Sequence, residues 1–150
     1  MRFSAKAEYG VKAILELAAQ SGRVPVQVRN IAKNQGLPVR FLEQVMNALK
    51  KAGLVESIRG AQGGYLLNRS PKEISLGDVL NAIDGPMTAM RGISDRKQPR
   101  GEDAGDCVVQ DVWTEVKHSF TDILNSITLQ DMCERKRQKE RQRKVLMFHI

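Results

Sequence analysis

Apolar residues recur at helical spacing through residues 37–53, at Leu42, Val45 and Leu49, with Phe41 and Met46 widening the stripe. The opposite face carries Arg40, Glu43, Gln44, Asn47 and Lys51. Pro38 suits the first turn of this helix, where its missing N–H has no partner to lose. Gly53 suits the position just past the last turn, where a positive φ is needed. A shorter helix over residues 28–35 ends at Gly36, immediately before it. Two helices joined by a glycine-bearing turn, the second opening on polar side chains, predict a helix-turn-helix.

The period then changes. Leu54, Val55, Glu56, Ser57 and Ile58 read as a strand and Tyr65, Leu66 and Leu67 as its partner. Arg59, Gly60, Ala61, Gln62, Gly63 and Gly64 lie between them, and three glycines permit a tight or bulged hairpin. A basic hairpin directly after a helix-turn-helix predicts a winged helix. The glycines alone are ordinary turn chemistry, because no GxxxxGK[ST] or GxGxxG frame surrounds them.

Elsewhere Ser4 is a suitable N-cap for a helix over residues 5–20 with an apolar face of Ala7, Val11, Ile14, Leu15 and Ala18. Ser75 and Asp78 form a capping-box pattern ahead of Val79, Leu80 and Ile83. Residues 86–105 hold no apolar period. Their Gly, Pro and mixed charges suit a solvated connection better than a basic DNA-touching loop. Val109, Trp113, Val116, Phe120, Ile123 and Ile127 then step by 4, 3, 4, 3 and 4, a heptad seam flanked by Val112 and Leu124. Such a seam suits a dimer helix, which a symmetric DNA reader needs, or a helix packed on its own domain. Thr128 and Asp131 open a last helix whose residues 135–144 are nearly all charged. This run suits either phosphate contacts or a solvated helix end. The expected fold is mainly α with a small β wing, a winged helix-turn-helix plus a long dimerisation helix. Its expected parts are a DNA-binding domain over 1–85, a linker and candidate sensor loop over 86–105, a dimerisation helix over 106–127 and a basic helix or tail over 128–150.

Charge sharpens the picture once it is divided. Residues 1–70 hold 11 Lys/Arg against 4 Asp/Glu, residues 71–133 hold 6 against 11, and residues 134–150 hold 7 against 2. The basic head contains the proposed reader, as a nucleic-acid-binding module requires. On the reading helix, Arg40 suits guanine O6 and N7, Gln44 suits adenine, and Glu43 suits the cytosine amino group. An ordinary solvated helix face would look the same, and the basic wing after it favours the reader. Arg59 and Gly60 are placed at the wing, with Arg59 able to enter a minor groove.

The start of the chain is too polar for a signal peptide, and no stretch is long and apolar enough to span a bilayer, so a cytoplasmic protein is expected. Two cysteines, Cys107 and Cys133, lie far apart without a CxxC, which argues against a disulfide framework and a zinc finger. Two histidines, His118 and His149, sit near no plausible nucleophile, and no enzyme activity is expected.

The start Met1-Arg2-Phe3-Ser4-Ala5-Lys6-Ala7-Glu8-Tyr9-Gly10, the run Phe41-Leu42-Glu43-Gln44 and the paired Arg59-Gly60 and Gly63-Gly64-Tyr65 resemble the iron–sulfur cluster regulator (IscR-like, or Rrf-two) family of bacterial winged-helix regulators. The resemblance runs to about residue 129. It implies a homodimer on double-stranded DNA, with Arg40, Phe41, Glu43 and Gln44 facing the major groove and Arg59 serving the wing. Pro38, Asn47, Lys51 and Gly60 complete the expected interface. Many members hold an iron–sulfur cluster with three closely spaced cysteines. Here only Cys107 matches, at the last of those positions, and Gln110 stands where a histidine commonly follows. Thiolates hold such clusters, so one per chain cannot complete a site. A cluster then needs ligands from both chains of a dimer, with Cys107 of one and Glu8 of the other as the implied set. Cys133 is a further donor for it. A redox-active thiol, and a structural cysteine at a helix start, are the other readings of Cys107.

Together these features point to a sequence-specific transcriptional regulator, read as a repressor, that recognises a two-fold operator, with redox or iron–sulfur status as the candidate signal. A nonspecific nucleic-acid-binding module and a winged helix that binds protein are the alternatives.

Overall fold

The structure is a computed structural model that describes residues 3–20, 24–85 and 103–149. Among the described residues the order is α1 (Ala5–Ala19), α2 (Val28–Gln35), α3 (Val39–Lys51), β1 (Val55–Ile58), β2 (Gly64–Leu67), a 3-10 turn (Pro71–Glu73), α4 (Leu76–Asp84), α5 (Ala104–Ser126) and α6 (Leu129–Phe148). The Ser4 hydroxyl caps α1 by accepting the Ala7 N–H at 2.9 Å. It also donates to the Asp84 carboxylate at 2.7 Å, which ties the start of α1 to the end of α4.

The core is where α1, α3 and α4 meet. Ile14 and Leu17 of α1, Leu42, Val45, Met46 and Leu49 of α3 and Val79 of α4 are fully buried there, joined by Ile31 of α2. Each such side chain contributes about 1.5–3 kcal/mol relative to exposure. Gly10 makes the close approach possible, because a Cβ at that position would meet the Ile83 side chain and lie 3.0 Å from Val45. Gly36 ends α2 in the left-handed region at φ 66°, which turns the chain directly into α3. Pro38 takes the N-cap position of α3 rather than its first turn.

The strands pair antiparallel, from Val55 opposite Leu67 to Ile58 opposite Gly64. A residue before α2 extends this sheet: Val26 and Tyr65 exchange backbone hydrogen bonds of 3.0 and 2.9 Å. The wing is therefore held on two sides.

The last two helices attach at one place. The Leu76 N–H donates to the Ile127 carbonyl at 2.7 Å, and the Leu129 N–H donates to the Ile74 carbonyl at 2.9 Å. Thr128 and Asp131 form a reciprocal capping box at the start of α6. The Thr128 backbone N–H, then its hydroxyl, hold the Asp131 carboxyl below its usual range. Leu129 and Cys133 enter the core, and α6 packs on α1 and the 3-10 turn while α5 packs on α4. The first turn and a half of α6 belongs to the main core, and Leu129 and Cys133 are the buried positions of this helix.

The expected linker over 86–105 is described only from residue 103, where Asp103 caps α5 and the helix begins at Ala104; the remainder lies outside the described residues. Among the described residues, no helix is long and apolar enough to cross a membrane.

Candidate nucleic-acid interface

The two faces of α3 separate cleanly. Leu42, Val45, Met46 and Leu49 are buried, while Arg40, Glu43, Gln44, Asn47 and Lys51 are exposed along one ridge. Helical spacing puts these five side chains within less than a quarter-turn on either side of a common line. No ion pair among the described residues engages Arg40, Lys51 or Arg59, so their charge remains available to a ligand.

Phe41 departs from the expected position. It lies about 100° around the helix from Arg40, by the turn per residue of an α-helix. There it is half-buried, edge-on to Tyr9 of α1 with ring centroids 5.7 Å apart and planes at 87°. An edge-to-face aromatic pair at that distance is attractive in its own right. Phe41 therefore sets the seating of α3 on α1 and does not share the ridge of Arg40 and Gln44. The Lys12 ammonium adds to this cluster, 5.7 Å from the centroid of the Tyr9 ring.

Beside the ridge, Arg59 and Gly60 are exposed at the wing turn, which closes with a Gly63 N–H to Gly60 carbonyl bond of 3.0 Å. Two ties fix this turn relative to the helices. The Lys50 ammonium donates to the Ser57 hydroxyl at 2.7 Å, and the Gln27 amide donates to the Ala61 carbonyl at 3.2 Å. Neither residue stood out in the sequence, because both bonds join positions that local pattern does not relate. Arg29 and Lys33 of α2 are also exposed and were not singled out, though they belong to the helix that crosses the backbone in this motif. Between residues 24 and 70 there are 7 Lys/Arg against 2 Asp/Glu. The resulting surface is a polar helix ridge flanked by a positioned basic hairpin. It suits double-stranded nucleic acid, with the ridge in a major groove and the cations on phosphates.

Within a single chain the metal-ligand candidates are not brought together. Cys107 is exposed in the first turn of α5 and Glu8 is exposed in the first turn of α1, whereas Cys133 is buried in the core. Among the described residues no group of three or more His, Cys, Asp or Glu side chains is placed to hold a metal ion. Burial pushes the Cys133 thiol above its usual range, the opposite of what a thiolate ligand needs. One accessible thiol per chain does not fit the four-thiolate set of an iron–sulfur cluster. With an excess of a thiol reagent, one group per native chain should react rapidly, at Cys107, and Cys133 should react only after unfolding. Peptide mapping checks this; rapid labelling of both cysteines would mean the root of α6 opens readily.

The predicted seam on α5 divides. Phe120 stacks on Phe3 of its own chain at 6.2 Å, and Val116 and Ile127 are half-buried. Val109, Trp113 and Ile123, by contrast, are exposed, as are Val108 and Val112. No residue of this 23-residue helix is buried.

Comparison with known proteins agrees with this geometry. The family model described as an iron-dependent transcriptional regulator, Rrf2, matches residues 3–135. The HTH-type transcriptional regulator IscR of Pectobacterium carotovorum is 38% identical over 136 residues, covering 91% of this chain and 81% of that protein. CymR of Bacillus subtilis, likewise an HTH-type regulator, is 31% identical over 150 residues and covers both chains fully. The solved structure of CymR, the global cysteine regulator of B. subtilis, superposes with a TM-score of 0.74 at 33% identity, covering 89% of this chain and 97% of that one. IscR of T. potens gives 0.71 at 38% identity, covering 91% and 88%. The fold is that of winged-helix regulators, and the protein is a DNA-binding transcription regulator, not an enzyme. With the winged helix, the FLEQ helix and the match over residues 3–135 all in one chain, this protein belongs to the Rrf2 family of transcriptional regulators.

Proposed function

We propose that the protein acts in the cytoplasm as a homodimeric, sequence-specific repressor, with α3 of each copy in successive major grooves of a two-fold operator and the wing on the flanking backbone. The observation that carries the reading is the ridge of Arg40, Glu43, Gln44, Asn47 and Lys51, exposed and free of ion pairs among the described residues, beside a wing fixed by Lys50 and Gln27. Bidentate-capable side chains on the ridge favour base reading over a purely nonspecific module. The unburied apolar stripe of α5 supports the dimer, since contiguous exposed apolar surface on a regulator marks an interaction face. Dimer symmetry in turn fixes half-sites about one helical turn, or a multiple of it, apart.

The sensing step reads best on Cys107, the accessible thiol at the start of α5, where oxidation or adduct formation sits between the dimer helix and the residues before it.

Arg40 and Arg59 should fail in different ways. Arg40→Ala should cost about 1–3 kcal/mol on the preferred duplex and relax the base choice at one position in each half-site. Arg59→Ala should weaken all duplexes alike and reduce the slope of log affinity against log salt by about 0.9 for each phosphate that is no longer neutralised. Titrations of both variants at several salt concentrations separate the roles. Unchanged curves for both would remove α3 and the wing from the interface.

A further inference from the structure

We infer that the distal half of α6 is a latch that docks, antiparallel, on the acidic flank of α5 in a second copy of this chain. The inference rests on the dimer reading of α5 and adds a second contact to it. Beyond Cys133, every described residue of α6 is exposed, and the helix ends in Val145, Leu146, Met147 and Phe148, exposed by 55–88%. A helical segment of that length is marginal in water unless it packs on something. Its stem is strongly basic, with 7 Lys/Arg against 2 Asp/Glu over residues 134–144 and one ion pair within it, Lys136 to Glu140 at 3.9 Å. A suitable partner must therefore offer acid along most of its length and apolar surface at one end.

The flank of α5 offers both. Residues 103–122 carry five acids, Asp103, Asp106, Asp111, Glu115 and Asp122, against one base, Lys117. Beside the open apolar stripe, Val112, Glu115, Ser119 and Asp122 step by 3, 4 and 3, so they share a helix face. On α6, Lys136, Lys139, Arg143 and Leu146 step by 3, 4 and 3 as well. Laid antiparallel, Leu146 meets Val112, Arg143 meets Glu115, Lys139 lies over Ser119, and Lys136 meets Asp122. Unlike charges oppose one another, and the apolar end meets apolar surface. Ridge packing of two helices requires this matched spacing.

The same pairing within one chain is closed off by the anchored root of α6. Leu129 and Cys133 hold its first turns in the core, the helix runs unbroken to Phe148, and it lies on α1 and the 3-10 turn instead of along its own α5. A duplex would attract the cations but gives residues 145–148 nothing to bury against. The family match ends at residue 135, while CymR aligns with this chain over its whole length. In a two-fold dimer the latch operates twice, α6 of each copy on α5 of the other.

The test uses the full chain and a charge exchange, read by sedimentation equilibrium. Arg143→Glu and Glu115→Arg should each weaken the dimer about tenfold or more through like-charge contacts at both symmetric places, and the double variant should recover most of the loss. Both residues are exposed in the single chain, so the fold is retained. Independently, Arg143→Cys with Glu115→Cys, in a Cys107→Ser background, should form a disulfide between chains on mild oxidation. Single variants that dimerise like the wild type overturn the latch while leaving the α5 dimer standing. Normal dimerisation with a reduced salt slope on DNA overturns it in favour of a phosphate-binding arm, and a disulfide within one chain overturns it in favour of a hairpin. A wild type that is monomeric at every concentration overturns the latch and the dimer reading together.

Discussion

Replacing Ile123 with aspartate should leave a folded monomer that no longer holds its operator. Ile123 is 58% exposed in the single chain and lies on the same open side of α5 as Val109, Val112 and Trp113. Water solvates a carboxylate there as long as the chain is alone, so the fold has no reason to suffer. In the proposed dimer the same carboxylate would be buried in apolar surroundings, twice by symmetry, at several kcal/mol for each copy. That total corresponds to a loss on the order of 10³-fold or more in the dimer constant. Operator affinity should fall with it, because two linked reading heads bind far more tightly than either alone, whereas nonspecific binding, carried by phosphate contacts, should fall less. Phe120→Asp is the less informative disruption, although Phe120 is central in the heptad. It stacks on Phe3 of its own chain at 6.2 Å, so its loss also loosens α5 from the N-terminal segment. Sedimentation with a far-UV spectrum checks the Ile123 variant; an intact dimer would place the seam within one chain.

Gly64→Ala should be strongly damaging to the winged helix. Gly64 has φ 149°, a region that side chains rarely enter. A Cβ there would lie 2.5 Å from the Val26 carbonyl oxygen, 2.6 Å from its carbon and 2.9 Å from the Gln27 nitrogen. All three are backbone atoms, so no rotamer change relieves the clash. The strand bonds between Val26 and Tyr65, which tie the wing to the start of α2, must open instead. Backbone strain and broken pairing together should cost on the order of 2–4 kcal/mol of stability. The wing should also lose its fixed place beside α3. Gly60→Ala is the control, since at φ 116° it adds strain but has no atom within 4 Å of the new methyl. Urea midpoints and duplex affinities of the pair should therefore diverge, with Gly64→Ala worse in both. Equal effects would mean that backbone strain alone, and not loss of the Val26–Tyr65 bridge, accounts for the damage.

Local pattern made α3 visible almost whole. The three positions that carry the period of α3, Leu42, Val45 and Leu49, are buried together with Met46, Phe41 is half-buried, and the capping boxes at Ser75 and Thr128 form as spaced. What stayed hidden lies between elements. Phe41 meets Tyr9 and Phe120 meets Phe3 across more than 30 positions of chain, and nothing near Phe41 distinguishes a groove-facing ring from a packed one. The bridge between Val26 and Tyr65 and the ties from Gln27 and Lys50 are likewise products of packing. On α5 the heptad steps admit neighbouring stripes that differ by a fraction of a turn. Only the packing against Phe3 and α4 decides which of them stays open.

If this chain reads a two-fold DNA sequence as a dimer, selection of bound duplexes from a random pool will reveal it. The selection should enrich an inverted repeat whose half-sites lie about one helical turn, or a multiple of it, apart. Titration of the recovered duplex against a scrambled one should give an affinity ratio of roughly 10³ or more at fixed salt. Recovery of no common sequence, or of a single unrepeated motif bound as tightly as its scrambled version, would contradict it.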